Sequence, residues 1–339
     1  MRRRIAASRI AASRVARSVA LAVALFAALA SEPSAARADF PAYVHVVRDG
    51  ETLASIAQRY YGDPRRESVL VAENGLTTQG GSAIVVGLRL MIPTVTYHRV
   101  SAGETWAQIA ERHFGDIRRA YAIVEANPAV EGTQPPDGAE LLIPYPLRHV
   151  ADQRDTLNHV AQTYYGTTDG SRTLRRFNGM RSIRLQRGQV ILVPLADLVL
   201  SEEGRRIVAD ATGRVPTGGE VRELQARIGE QVPELLEHVR IGRYTEAVSL
   251  GNRLLGSGDL TGNQIVTIQR TLAVAYVALA RDDLAVLAFR EALTRQPDLE
   301  LDSRRTSPTV IRAFEAARSA PAEPEPEAPE VDAGVPAAE

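Results

Sequence analysis

Lysine is absent from the 339 residues, so all 40 basic side chains are arginine, and Schiff-base or phosphate-loop lysine chemistry is excluded. Cysteine is absent as well, which removes disulfides, thiol nucleophiles, thiolate metal sites and any cysteine-linked lipid. Charge of one sign is also missing: 41 acids balance the arginines, which argues against a nucleic-acid binder. Long apolar runs are scarce. The longest, Ser18 to Ala30, follows Arg2, Arg3, Arg4, Arg9, Arg14 and Arg17 and precedes the small-residue triplet Ala36-Arg37-Ala38. Thirteen residues span about 20 Å as a helix, short of a hydrocarbon core of about 30 Å. The layout predicts a signal peptide over 1–38, cleaved after Ala38 in export to the periplasm or cell envelope, with no stable membrane span afterwards.

Without that leader the chain carries 33 arginines against 40 acids. Six of the acids lie in 319–339, where proline alternates with glutamate or alanine and large hydrophobes are lacking, so a disordered acidic Pro-rich tail is expected.

What is present is a threefold pattern. Thr52, Thr105 and Thr156 are each followed ten residues later by Gly62, Gly115 and Gly166, and twelve after that by Asn74, Asn127 and Asn178. Each copy closes with a glycine (Gly87, Gly138, Gly188) and, six residues on, a proline (Pro93, Pro144, Pro194). After the threonine, Leu53, Ile56, Ala57, Tyr60 and their counterparts trace one face of a three-turn helix, with acids expected in its first turn and the glycine as a left-handed exit. A second helix carries Leu70, Ile123 or Leu174 and ends at the asparagine, read as a residue tolerant of left-handed geometry. Short extended runs flank the helices, with alternate residues such as Leu90 and Ile92 on one face. Each unit therefore reads βααβ.

The strings VRDGETLASIAQRYYGD, VSAGETWAQIAERHFGD and ADQRDTLNHVAQTYYGT, with the downstream asparagine and a closing LMIP, LLIP or ILVP, resemble LysM repeats. The resemblance implies α+β modules at 43–93, 97–144 and 148–194 that bind N-acetylglucosamine-containing glycan, here peptidoglycan or a related polymer, in a shallow groove. One groove wall is implied to be Asp49, Gly50, Glu51, Thr52 and Leu53, with Gly103, Glu104, Thr105 and Trp106 in the second copy and Asp155, Thr156 and Leu157 in the third. The other wall is implied to be Asn74, Gly75 and Leu76, then Asn127 and Pro128, then Asn178 and Gly179. Main-chain amides exposed at a glycine turn and a small apolar floor suit an N-acetyl group without any charge. Trp106 stands on the inward helix face, which favours core packing over sugar stacking. Arg154 replaces the turn glycine in the third copy, so unequal binding is expected. Linkers of about four residues would let the copies act together, gaining roughly 10²-fold if geometry permits.

Beyond the repeats, 195–219 reads as a linker with a short helix opening at Ser201, and 220–318 as helical. Ala273, Tyr276, Ala285, Phe289, Ala292 and Pro297 fall at offsets that resemble a tetratricopeptide (TPR) repeat, with a poorer copy at Leu235 to Asp259 and a final helix at Ser307 to Arg318. That resemblance implies a protein partner or self-association through 220–318.

Catalysis is not expected. There is no GxSxG, HExxH or phosphate loop, and the repeats and helices leave no stretch for a hydrolase. His45, His98 and His149 recur seven residues before the repeat threonine, but in separate modules, so a strand-face role is expected rather than a metal site, and no cofactor. The alternative function is an envelope assembly scaffold whose LysM modules are structural and whose TPR-like part binds a protein.

Overall fold

The computed structural model describes residues 40–76, 84–130, 132–214 and 216–319. The segment 1–38, expected to be a signal peptide, and almost all of the expected acidic tail lie outside the described residues, as does the polar stretch Thr77 to Ser82 of the first copy.

Each repeat folds as strand, helix, a single 3₁₀ turn, helix, strand. The first contains β1 (Ala42–Val46), α1 (Leu53–Tyr61), α2 (Glu67–Glu73) and β2 (Arg89–Pro93); the second β3 (Thr96–Arg99), α3 (Trp106–Phe114), α4 (Ala120–Ala126) and β4 (Glu140–Ile143); the third β5 (Tyr145–Val150), α5 (Leu157–Tyr165), α6 (Ser171–Phe177) and β6 (Val190–Leu195). Among the described residues the strands form three separate two-stranded sheets, β1–β2, β3–β4 and β5–β6. The first is antiparallel with His45 opposite Leu90, the third with His149 opposite Ile191.

Helix ends follow local chemistry. Thr52, Thr105 and Thr156 sit in extended backbone and accept from the amides of Ser55, Gln108 and His159 as N-caps. Gly62, Gly115 and Gly166 exit left-handed at φ of 73°, 67° and 73°. Two expectations fail here. No acid occupies the first turn of these helices, because Glu51, Glu104 and Asp155 precede the cap and turn towards a histidine. Nor are the asparagines left-handed: their φ values are −95°, −127° and −96°, and the left-handed residues are Gly75 and Gly179, one step on.

The chain divides into two compact units. One takes the described residues up to Tyr97, with Thr105–Pro128 and Leu142–Pro216; the other takes His98–Glu104, Ala129–Leu141 and the described residues from Thr217.

In the first unit, Leu53, Ile56, Tyr60, Leu70, Leu90 and Ile92 form the core of the first repeat. The segment read as a linker adds to it. Helix α7 (Glu202–Thr212), capped by Ser201, contributes Val208, and the preceding Leu200 is buried with it. The repeats are not beads on flexible tethers. Only two residues separate β2 from β3 and one separates β4 from β5. Arg66 donates to the Tyr164 carbonyl at 2.8 Å, Tyr121 donates to the Thr173 carbonyl at 2.8 Å, and Arg176 lies 3.8 Å above the Tyr121 ring. The avidity expected of independent modules therefore gives way to a fixed arrangement within this unit.

Among the described residues the second unit holds five helices: α8 (Glu220–Arg240), α9 (Tyr244–Leu255), α10 (Gly262–Ala278), α11 (Asp282–Arg295) and α12 (Pro308–Ser319). One apolar cluster joins Leu235, Ala247, Leu250 and Leu272; another joins Ala273, Ala285, Phe289, Ala292 and Phe314. Helix α10 contributes to both. The fully buried alanines let neighbouring helices approach closely, and Phe289 meets Phe314 edge-on at 5.2 Å.

Candidate functional site: the repeat turns and asparagine clamps

The turn before each first helix is closed by a four-residue backbone hydrogen bond, from Glu51 to Arg48, Glu104 to Ser101 and Asp155 to Asp152. Gly50 and Gly103 take φ of 76° and 72° at the third position, which defines a type II turn. Arg154 stays at negative φ, so the third copy keeps the closing bond with a different turn type and presents its central peptide differently. The replacement of glycine is thus accommodated by the backbone and alters what the turn offers a ligand.

The acid at the end of each turn is a clamp. In the first copy the Glu51 carboxylate accepts from His45 Nε2 at 2.8 Å, from the Arg48 amide at 2.8 Å and from Arg59. With Nε2–H committed to the carboxylate, His45 Nδ1 accepts from the Tyr60 hydroxyl at 3.2 Å. The third copy repeats this with His149, Asp155 and Tyr164, and Asp155 also accepts from the Asp152 amide at 2.7 Å. In the second copy, His98 Nε2 lies 2.6 Å from Glu104, which also accepts from the Ser101 amide. The three histidines thus pin the turns. The sequence carries the signal for this partner as a constant spacing: histidine, five residues, then the acid before the threonine. Among the described residues no histidine or acid cluster could hold a metal ion.

Burial tends to raise the Glu51 pKa, but hydrogen bonds from the Arg48 amide, His45 and Arg59 outweigh it and lower the value from 4.5 to about 2. A carboxylate depressed in the folded state adds stability above its unfolded value and loses that contribution as pH falls towards the folded one. Glu51→Gln is therefore expected to flatten the fall in thermal midpoint between about pH 5 and pH 2, while lowering the midpoint at neutral pH. Equal acid slopes in the variant and the parent would rule the clamp out.

The asparagines are clamps too. Asn74 Nδ2 donates to the Leu70 and Met91 carbonyls at 2.9 and 3.0 Å, and its Oδ1 accepts from the Met91 amide at 2.7 Å. Asn127 does the same with Ile123 and Leu142, and Asn178 with Leu174 and Leu192. Each amide ties the end of the second helix to the closing strand, and both of its N–H bonds are used.

The implied glycan-wall residues therefore divide by role. Asp49, Gly50 and Gly75 are exposed main-chain turns, with Leu76 half-buried beside them. Leu53, Trp106 and Leu157 are buried; Trp106 is 8% exposed. Glu51, Glu104 and Asp155 serve the histidines, Thr52, Thr105 and Thr156 serve the helix starts, and Asn74, Asn127 and Asn178 serve the strands. In the second copy Gly103 and Glu104 belong to one unit and Thr105, Trp106, Asn127 and Pro128 to the other. The Gly103 amide already donates to Asp137 at 3.1 Å. In the third copy the walls meet: Thr156 forms an isolated antiparallel bridge with Arg184, and the Leu157 amide donates to the Ile183 carbonyl at 3.1 Å. Gly179 is exposed beyond Asn178.

No helix among the described residues is long and apolar enough to cross a membrane. No solved structure matches the chain significantly. Two curated relatives are similar over 154 residues at 30% identity: Esterase MT1326 of Mycobacterium tuberculosis (strain CDC 1551 / Oshkosh) and Esterase Rv1288 of Mycobacterium tuberculosis (strain ATCC 25618 / H37Rv). That stretch is 44% of this chain, which spans about a third of each relative, 32% of its length. Residues 45–93 and 149–194, the first and third of the three repeats, match the LysM domain family.

Proposed function

We propose that this chain is a non-catalytic cell-envelope protein that binds N-acetylglucosamine-containing glycan of peptidoglycan through LysM modules. The observation that carries the reading is the LysM match at 45–93 and 149–194, together with exposed main chain at Asp49, Gly50 and Gly75 beside polar side chains committed to the fold. A neutral N-acetyl group suits such a surface, because amides and carbonyls of the turns supply its donor and acceptor without desolvating a charge. The middle repeat, 97–144, shares the element order and the threonine, glycine and asparagine spacing, and is read as a third module. The helical region 220–318 is read as a TPR-like surface for a protein partner or a second copy, and 1–38 as the export signal.

A specific feature favours a structural role for the middle repeat. Within the second unit, Gln225 bonds to the Glu140 amide and the Gly138 and Asp259 carbonyls, Glu140 accepts from the Gly219 and Arg222 amides, and Asp137 accepts from Gly262. Residues 137–140 thus anchor the start of the helices, and Asp137 also takes up the Gly103 amide of the first wall.

The name esterase belongs to the relatives; the absence of GxSxG supports the non-catalytic reading here. The full chain is expected to sediment with purified peptidoglycan, to be displaced by soluble N-acetylglucosamine oligomers, and to hydrolyse p-nitrophenyl acetate no faster than buffer. Retention in the supernatant at every concentration would overturn glycan binding, and saturable ester hydrolysis would overturn the non-catalytic reading.

A further inference from the structure

The arginines are distributed unevenly among the repeats. Residues 43–93 hold five arginines and five acids, and 97–144 hold four arginines and seven acids. Residues 148–194 hold eight arginines and three acids, in a chain that is acidic overall once the leader is set aside. Of those three acids, Asp155 is engaged by His149, while Asp152, which accepts from the Gln153 amide, and Asp169 are exposed.

The cations are concentrated where backbone geometry brings two short loops together. At one end, the Ala151 amide donates to Gln189 and the Gly188 amide to Ala151, both at 2.8 Å. At the other, the Thr156–Arg184 bridge and the Leu157 to Ile183 bond close the frame. Arg154 lies in the first loop, and Arg184 and Arg187 lie in the second. All three are exposed, and none makes an ion pair among the described residues. Arg181, also exposed, precedes them on the same loop.

The fold does not require these charges. Counting back from the closing glycine and along the turn, the positions of Arg154, Arg184 and Arg187 hold Gly50, Ala83 and Val86 in the first repeat, and Gly103, Gln134 and Asp137 in the second. Guanidinium groups carried on loops whose backbones are bonded to each other repel one another in the free protein, most strongly at low salt. An anion would relieve that repulsion, and the planar guanidinium matches carboxylate and phosphate oxygens in pairs.

We propose that the third repeat binds an acidic polysaccharide, a polymer whose repeating units carry phosphodiester or carboxylate groups, through Arg154, Arg184 and Arg187. The LysM reading of 149–194 selects a glycan over other polyanions; the charge cluster stands independently of it.

The test uses the full chain and Arg154→Gln/Arg184→Gln/Arg187→Gln, titrated with poly(glycerol phosphate), polygalacturonate, neutral N-acetylglucosamine tetramer and a single-stranded DNA oligomer. The wild type is expected to bind at least one acidic polymer at about 50 mM salt and to weaken at least about tenfold by about 300 mM. The triple variant is expected to lose at least about tenfold in that affinity, keep its melting temperature and keep its affinity for the neutral tetramer. A control that removes equal charge elsewhere, Arg205→Gln/Arg214→Gln/Arg227→Gln, is expected to bind the polymer as the wild type does. Tighter binding of poly(glycerol phosphate) assigns the site to phosphodiesters, and tighter binding of polygalacturonate to carboxylates. The proposal is overturned if neither polymer binds, if the triple variant binds like the wild type, if the control loses as much, or if the DNA binds more tightly than both polymers. Failure of the neutral tetramer alone counts against the glycan groove, not against this cluster.

Discussion

Asn127→Ala is expected to destabilise the middle repeat by about 3 kcal/mol, among the largest losses available to a single polar substitution in this chain. The side chain is 1% exposed, and its amide makes three hydrogen bonds, to the Ile123 and Leu142 carbonyls and from the Leu142 amide, at 2.8, 2.8 and 2.9 Å. Truncation removes the bonds and leaves an N–H and two C=O groups away from water, so the cost exceeds that of one exposed hydrogen bond. Trp106, the sole tryptophan, is buried at the start of α3 in the same repeat, and its emission during urea unfolding reads the transition directly. Asn127→Asp should lose about as much, because a carboxylate accepts from Leu142 but cannot donate to the two carbonyls. The exposed Asn158→Ala provides the contrast, within about 0.5 kcal/mol of the parent. Equal midpoints for Asn127→Ala and Asn158→Ala would show that the clamp contributes nothing to the fold.

The second large effect is steric. Gly204, in the first turn of α7, leaves room for the backbone of α1: a Cβ there would stand 2.6 Å from the Tyr60 carbonyl oxygen and 3.0 Å from the Tyr60 Cα. Neither atom can move aside. The Tyr60 carbonyl accepts from the Ser201 amide, the Ser201 hydroxyl donates to the Arg59 carbonyl, and Tyr60 itself is 2% exposed. Gly204→Ala is therefore expected to cost about 2–3 kcal/mol and to detach α7, although alanine is the better helix former. Tryptic cleavage at Arg205 and Arg206 should accelerate by at least about tenfold, since local opening exposes the helix to protease. Gly229→Ala tests the opposite case. It sits mid-helix in α8 with its nearest contact 3.8 Å from the added methyl, and should gain about 0.5–1 kcal/mol. Unchanged tryptic rates in Gly204→Ala would mean that α7 is held by something other than this close approach.

These two positions show where sequence reasoning reached its limit. Spacing singles out the asparagine but points to backbone conformation, because the partners that explain it lie on a strand 14 to 17 residues away. A left-handed helix end was expected in the right place but belongs to the following glycine at Gly75 and Gly179. The histidines read as strand-face residues, and the acids they bond lie across a turn, so the constant spacing alone does not say that the two side chains meet. The segment 195–219 reads as a linker with a short helix, because strand signals stop there and Pro216 to Gly219 reads as a hinge; only the packed structure shows Leu200 and Val208 entering the core of the first repeat.

The sequence alone determined the repeating spacing, the βααβ order, the glycine exits of the first helices, and the helical character of 220–318. Those features depend on interactions within a turn or two of chain, which residue identity and spacing specify directly. Tertiary structure alone decided which polar side chains are consumed by the fold, how the first unit locks its repeats through Arg66 and Tyr121, and that Arg154, Arg184 and Arg187 gather on two facing loops. These depend on pairings between distant segments, whose partners are set by packing and not by local propensity.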